Sequence, residues 1–155
     1  MRDRVLVVDD ERDSADTLAL LIRALGYQAK AAYDGTQAIQ EVSEFLPDML
    51  LIDIGMPGLN GFQTVTQLRK QRGNEYLILA AVTGWSRDED KRRAYECGFD
   101  LHITKPMSSA TLEDLLALLD PDTTEKAWRR FDERALRESK SISAPMISGS
   151  QAVTA

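Results

Sequence analysis

The sequence feature that most constrains the fold is a short apolar run that stops at an aspartate. Residues 49–52 are all large and apolar, and Asp53 follows them directly. Such a run is typical of a strand that is buried on both faces of a sheet. Glycine, proline and asparagine crowd the next residues up to Gly61, which predicts a loop. Asp53 is therefore either a turn or helix-capping residue or a residue at the strand ends where open parallel sheets bind ligands.

Strand-like and helix-like segments alternate five times along the first 120 residues. The strand-like segments cover residues 5–8, 28–33, 49–52, 76–82 and 101–103. Apolar residues at helical spacing follow at 14–25, 38–45, 62–68 and 108–119, and the highly charged segment 87–95 is expected to form a solvated, weakly anchored helix. This alternation predicts a doubly wound α/β fold, in which helices cover both faces of a parallel sheet. The strand order 2-1-3-4-5 is assigned by analogy with known five-stranded sheets.

The chain is predicted to contain one domain, residues 1–120, and a C-terminal extension, residues 121–155. Within the extension, Trp128 and Phe131 belong to a set of apolar residues at helical spacing, which predicts an amphipathic helix over about 124–139. The two aromatic residues either form a hydrophobic contact for a partner or pack back on the chain's own domain. The uncharged residues after this helix predict a flexible tail.

Composition excludes several classes of protein. The formal net charge of -6 argues against direct, sequence-independent binding of nucleic acid, and the 43% hydrophobic content is that of a soluble globular protein. A single cysteine, Cys97, excludes an internal disulfide and fits a reducing compartment. No run approaches the roughly 20 apolar residues of a membrane span, and the start has no signal-peptide core. A cytoplasmic protein without membrane association is expected.

Polar residues stand at the carboxyl ends of four predicted strands. Asp9 and Asp10 follow the first strand, Asp53 the third, Thr83 the fourth and Lys105 the fifth. Parallel strands bring these ends to one edge of the sheet, and three carboxylates there suit a hard cation such as Mg²⁺. A carboxylate can accept a phosphoryl group as a nucleophile, while a metal and a lysine offset its charge.

These residues lie in four short motifs: VDDE at 8–11, the pattern D-x-x-M-P-x-x-x-G at 53–61, VTG at 82–84 and TKP at 104–106. Together, in this order and each at a strand end, they make the chain resemble the receiver domain of two-component response regulators. The resemblance covers about residues 4–120. It implies a flavodoxin-like sheet of five strands flanked by five helices.

The resemblance also implies a role for each carboxylate. Asp53 is the expected phosphoacceptor. Asp9 and Asp10 are expected to hold Mg²⁺, or Mn²⁺ in its place, directly or through water. Asp53 and the backbone carbonyl of Gly55 complete the expected metal site.

Further roles follow from the same resemblance. Thr83 is expected to bind a phosphoryl oxygen and to act as a switch, and Lys105 to pair with the phosphoryl group. The peptide bond before Pro106 is expected to be cis. His102 stands where the family often has a rotating Tyr or Phe, so it is either a switch residue or a half-buried strand residue. Trp85, near the mouth of the site, is expected to be a site-edge or packing residue.

The implied function is that of a phosphorelay module. A histidine kinase or a histidine phosphotransfer protein would donate the phosphoryl group, and a protein partner or onward phosphotransfer would carry the output. About three dozen residues follow Leu119, too few for a typical output domain, so a single-domain regulator is expected. No enzymatic activity is expected beyond assistance to its own phosphorylation and dephosphorylation. Homodimerisation stays open.

Two other functions compete with this interpretation. The first is a metal-dependent phosphatase with an aspartate nucleophile, but such enzymes commonly carry a second Asp two residues later, where this chain has Gly55. The second is a degenerate receiver that binds partners without phosphorylation. The complete set of strand-end residues argues against it.

Overall fold

The computed structural model describes residues 2–55, 60–71, 73–84 and 87–143, with the side chains of the last helix described through Arg134. The strands are β1 (Arg4–Val8), β2 (Gln28–Ala32), β3 (Met49–Asp53), β4 (Ile78–Thr83) and β5 (Leu101–Thr104). The helices are α1 (Arg12–Ala24), α2 (Gly35–Phe45), α3 (Gly61–Lys70), α4 (Asp88–Cys97), α5 (Ser109–Ala117) and α6 (Thr124–Ser143).

The five strands form one parallel sheet in the order β2-β1-β3-β4-β5. This confirms the predicted fold class and strand order. Each strand is followed by a helix, and the C-terminal helix predicted at about 124–139 is present as α6. None of the helices within the described residues is both long and apolar enough to cross a membrane.

The central strand β3 is buried as its apolar run predicts. Its four apolar residues are at most 2% exposed, and the strand pairs with β1 on one side and β4 on the other. Leu50 and Ile52 belong to a hydrophobic cluster that also includes Leu6 and Leu79 from the two neighbouring strands. Burial of this kind stabilises a fold by roughly 1.5–3 kcal/mol per large side chain. The strand that ends at Asp53 is thus held rigidly by the core.

The chain divides into two compact units, residues 1–108 and 109–155. The first unit contains the whole sheet and α1 to α4, and the second contains α5 and α6. The boundary expected near residue 120 stays a prediction. The residues after 143, for which a flexible tail is expected, lie outside the described part of the chain.

Within the second unit, α6 packs against α5. Asp114 on α5 accepts hydrogen bonds from Arg130 (2.9 Å) and Arg134 (3.1 Å) on α6. Phe131 is only 6% exposed and Trp128 is half-buried. Phe131 is therefore packed on the chain itself, whereas the role of Trp128 stays a prediction.

Candidate functional site

Three carboxylates meet at the carboxyl edge of the sheet. Asp9 and Asp10 directly follow β1, and Asp53 is the last residue of β3. One carboxylate oxygen from each lies within 4.8 Å of the other two. The side chains of Asp9 and Asp53 are 11% and 18% exposed, while Asp10 is exposed. The clustering expected from the strand ends is therefore present.

Backbone amides orient two of these carboxylates. The Glu11 N–H donates to Asp9 Oδ1 at 3.0 Å, and the Gly55 N–H donates to Asp53 Oδ1 at 2.9 Å. In both cases the donor lies two residues after the aspartate, where the chain turns away from its strand. Each carboxylate therefore has one oxygen held by its own loop and its second oxygen left for other partners.

Lys105 supplies a cation between the same two carboxylates. Its Nζ lies 3.5 Å from Asp9 Oδ2 and 3.6 Å from Asp53 Oδ2. Its backbone N–H donates to the Thr83 carbonyl at 2.8 Å, which ties the end of β5 to the end of β4. The Lys105–Pro106 peptide bond is cis, as the family resemblance implies.

The donor set fits a hard divalent cation. Three carboxylates carry a formal charge of -3, and Lys105 offsets one of these charges, so two remain for a metal to balance. Mg²⁺ prefers one or two carboxylates and keeps several waters, which suits a cluster with one exposed member, Asp10. The metal role of the Gly55 carbonyl stays a prediction.

Burial is the largest influence on the charge state of Asp53. It raises the pKa of the carboxyl above the ordinary aspartate value. The hydrogen bond from Gly55 and the charge of Lys105 lower this pKa, whereas Asp9 and Asp10 raise it further. Without a metal, the folded protein therefore holds the ionised form of Asp53 less favourably than the unfolded chain does.

We expect Asp53→Asn to raise the thermal midpoint of the metal-free protein at neutral pH. Because the folded pKa is raised, the contribution of Asp53 to the unfolding free energy falls as the pH rises through the aspartate range. The variant's advantage should be present at pH 7 and should vanish below the unfolded pKa of about 4. Thermal unfolding of both proteins in the presence of a chelator, from pH 7 down to below pH 4, measures the difference between their midpoints. A variant less stable than the wild type at pH 7 in chelator would contradict the expectation.

Thr83 and His102 lie on β4 and β5, the two strands that end beside Lys105. Thr83 ends β4 and is 2% exposed, and His102 is a half-buried residue of β5 that pairs with Ala81. Their switch roles stay predictions. Trp85 lies outside the described residues.

A groove of about 720 Å³ opens beside the carboxylates. Its lining includes the polar residues Asp9, Asp53 and Lys105 and the apolar residues Leu18 and Leu51. Sequence patterns predict the strand-end side chains of this site but not the amides of residues 11 and 55, because every residue type except proline carries the same backbone N–H.

The sequence matches the family described as the response regulator receiver domain over residues 5–117. The DNA-binding response regulator MtrA of Mycolicibacterium paratuberculosis is 37% identical over 112 residues, which cover 72% of this chain and 48% of that protein. The MtrA of Mycobacterium leprae matches with the same identity and the same coverage of both chains. The chain thus spans about half the length of these curated relatives.

Solved structures show the same fold. A CheY-like receiver domain from Methylobacillus flagellatus superposes with a TM-score of 0.67 at 29% identity, covering 77% of this chain and 100% of that one. The chemotaxis protein CheY4 of Vibrio cholerae superposes with a TM-score of 0.72 at 24% identity, covering 77% and 99%. The likeness to the latter supports the fold alone.

Proposed function

The chain belongs to the response regulator receiver domain family, and from this membership we propose that it accepts a phosphoryl group on Asp53. The observation that carries the proposal is the position of the Asp53 carboxylate. It ends the central strand, lies in a cluster with Asp9 and Asp10, and has Oδ2 3.6 Å from Lys105 Nζ.

The proposed reaction forms a bond between an Asp53 oxygen and phosphorus and breaks the bond from phosphorus to the donor atom. Asp9, Asp10 and Asp53 would hold Mg²⁺ or Mn²⁺, with the Gly55 carbonyl as a further ligand. When bound, the metal supplies positive charge to the phosphoryl oxygens. Such transfer depends mainly on positioning and charge neutralisation.

Two further side chains receive the phosphoryl group in this proposal. Lys105, which bridges Asp9 and Asp53 in the structure, pairs with a phosphoryl oxygen once that charge arrives. The Thr83 hydroxyl donates a hydrogen bond to a second oxygen. That interaction exists only in the phosphorylated state, so it supplies the differential affinity that a conformational switch needs.

We propose a histidine kinase or a histidine phosphotransfer protein as the donor and a protein contact or onward phosphotransfer as the output. The relatives named MtrA are DNA-binding regulators, but the net charge of -6 on this chain favours a protein partner. Helix α4 is the element proposed to move, because Ala94 is its single fully buried residue. His102, on the adjacent β5, would respond to that movement. The proposed location is the cytoplasm, and no turnover of a separate substrate is proposed.

The test is phosphorylation of the intact chain by acetyl phosphate. With Mg²⁺, we expect the protein mass to increase by one phosphoryl group, in a form that hydroxylamine removes as it does an acyl phosphate. With chelator in place of Mg²⁺, the increase should disappear. Labelling that is indifferent to chelator or resistant to hydroxylamine would contradict the proposal.

A further inference from the structure

We propose, on the basis of the proposed function, that Asp100 is a positioning residue that fixes the register of β5 and so holds Lys105 beside Asp9 and Asp53. Asp100 directly precedes β5, and Lys105 directly follows it. The two residues therefore lie at opposite ends of the same short strand, and Asp100 acts on the site only through that strand.

Asp100 is joined to β4 by two hydrogen bonds to one residue. Its N–H donates to the Leu79 carbonyl at 2.7 Å, and its Oδ2 accepts from the Leu79 N–H at 2.8 Å. The strand pairing begins at the next residue and ends where Thr83 pairs with Thr104. The Lys105 N–H then donates to the Thr83 carbonyl at 2.8 Å. The contact to Leu79 is thus the first in a ladder whose last member places Lys105.

Arg69 at the end of α3 holds the Asp100 carboxylate in this position. Its Nη2 donates to Asp100 Oδ2 at 2.9 Å, and its Nε donates to the Gly98 carbonyl at 3.0 Å. Its Nη1 donates to the carbonyls of Asn74 (3.2 Å) and Leu77 (3.1 Å). One guanidinium therefore fixes the residues before β4 to the residues before β5. Hydrogen bonds to a charged group of this kind contribute more to stability than neutral ones.

Strand β5 needs such an anchor more than β1, β3 and β4, the other strands whose ends carry residues of the site. It has four residues and lies at the edge of the sheet, where β4 is its only partner among the described strands. Strand β3, which carries Asp53, is paired along both sides. A one-residue slip moves a strand by about 3.3 Å and turns its side chains to the opposite face. Such a slip in β5 would remove the Lys105 ammonium from both carboxylates.

The chain offers a matched control at β3. Asp48 precedes that strand as Asp100 precedes β5, and each stands five residues before a site residue. Its N–H donates to the Arg4 carbonyl at 2.8 Å, and its Oδ2 accepts from the Arg4 N–H at 3.1 Å. The local motif is the same, but the register of β3 is also fixed by two neighbouring strands. Loss of the Asp48 carboxylate should therefore leave the site intact.

In the full chain, loss of the Asp100 carboxylate should weaken the binding of a phosphoryl mimic without weakening the binding of Mg²⁺. Metal binding depends on carboxylates carried by β1 and β3, whereas binding of a phosphoryl group also depends on Lys105. In Asp100→Ala, we expect the Mg²⁺ affinity to be no weaker than that of the wild type, because a Lys105 ammonium that moves away from Asp9 and Asp53 no longer offsets their charge. The affinity for the phosphoryl mimic beryllofluoride, measured by calorimetry at saturating Mg²⁺, should fall by about tenfold or more, as expected for a lost charged contact.

A double-mutant cycle distinguishes positioning from general loss of stability. Lys105→Met should weaken beryllofluoride binding at least as much as Asp100→Ala, and the double variant should bind no more weakly than Lys105→Met alone. Asp100→Asn keeps an acceptor for the Leu79 N–H and should retain part of the affinity, which also covers the case that the Ala variant does not fold. Asp48→Ala should match the wild type in both affinities.

Three results would overturn the inference: beryllofluoride binding by Asp100→Ala and Asp100→Asn at wild-type strength, equal weakening of metal and beryllofluoride binding, or additive effects of the Asp100 and Lys105 substitutions. A wild-type protein that binds Mg²⁺ but no beryllofluoride would instead overturn the proposed function, and this inference with it. The two failures are therefore distinguishable in one experiment.

Discussion

Asp53→Ala is expected to abolish phosphoryl acceptance from acetyl phosphate in the presence of Mg²⁺. The substitution removes the proposed nucleophile, and no neighbouring carboxylate takes its place. Asp9 is only 8% exposed as a residue, whereas Asp53 is half-buried. Asp10 is exposed and lies outside the strand pairing that positions Asp53. Intact-mass measurement after incubation with the donor gives the result directly.

The control for this experiment is Asp48→Ala, which removes a carboxylate from the opposite end of the same strand. It should label as completely as the wild type. Peptide mapping of any label that remains in Asp53→Ala would identify the true acceptor. Label found on Asp9 or Asp10 in Asp53→Ala would contradict the proposal, because it would show that other carboxylates of the cluster also accept the phosphoryl group.

Gly61→Ala is expected to destabilise the fold by about 3 kcal/mol, at the upper end of ordinary overpacking effects. A Cβ on Gly61 would lie 2.6 Å from Ile54 Cα and 2.8 Å from Ile54 Cγ2. The helix start cannot easily move away, because Phe62, Val65 and Leu68 of α3 are buried in the same hydrophobic cluster as Ile54. The clash falls on the residue that follows Asp53, so phosphoryl acceptance should decline together with stability.

Chemical denaturation measures this effect, and Gly84→Ala is the matched control. Gly84 has open space at its Cβ position and no positive φ, so the change in unfolding free energy should stay within about 0.5 kcal/mol. A Gly61→Ala protein as stable as the Gly84→Ala protein would mean that the loop before α3 adjusts without cost.

The predicted strands were found with small differences at their ends. The strand predicted at 76–82 is β4, Ile78–Thr83, because Tyr76 is 47% exposed and the parallel pairing with β3 begins at Ile78. Helix α1 shows a larger difference, since Leu21 and Leu25 are 52% and 45% exposed despite their helical spacing. Spacing identifies a helix, but the elements that pack on it decide which of its apolar residues are covered.

The sequence by itself determined the strands, their alternation with helices, and the polar residues at the strand ends. These features are local: an apolar run followed by Asp53 or Lys105 can be read from adjacent residues, and parallel pairing then gathers the strand ends at one edge. Only the tertiary structure decided how that edge is held in place. The bond from Arg69 to Asp100, the approach of the Lys105 ammonium to Asp9, and the bond from the Lys105 N–H to the Thr83 carbonyl join residues that lie far apart in the sequence. Their contacts exist because the sheet and its helices bring distant segments together, so no pattern of neighbouring residues could reveal them.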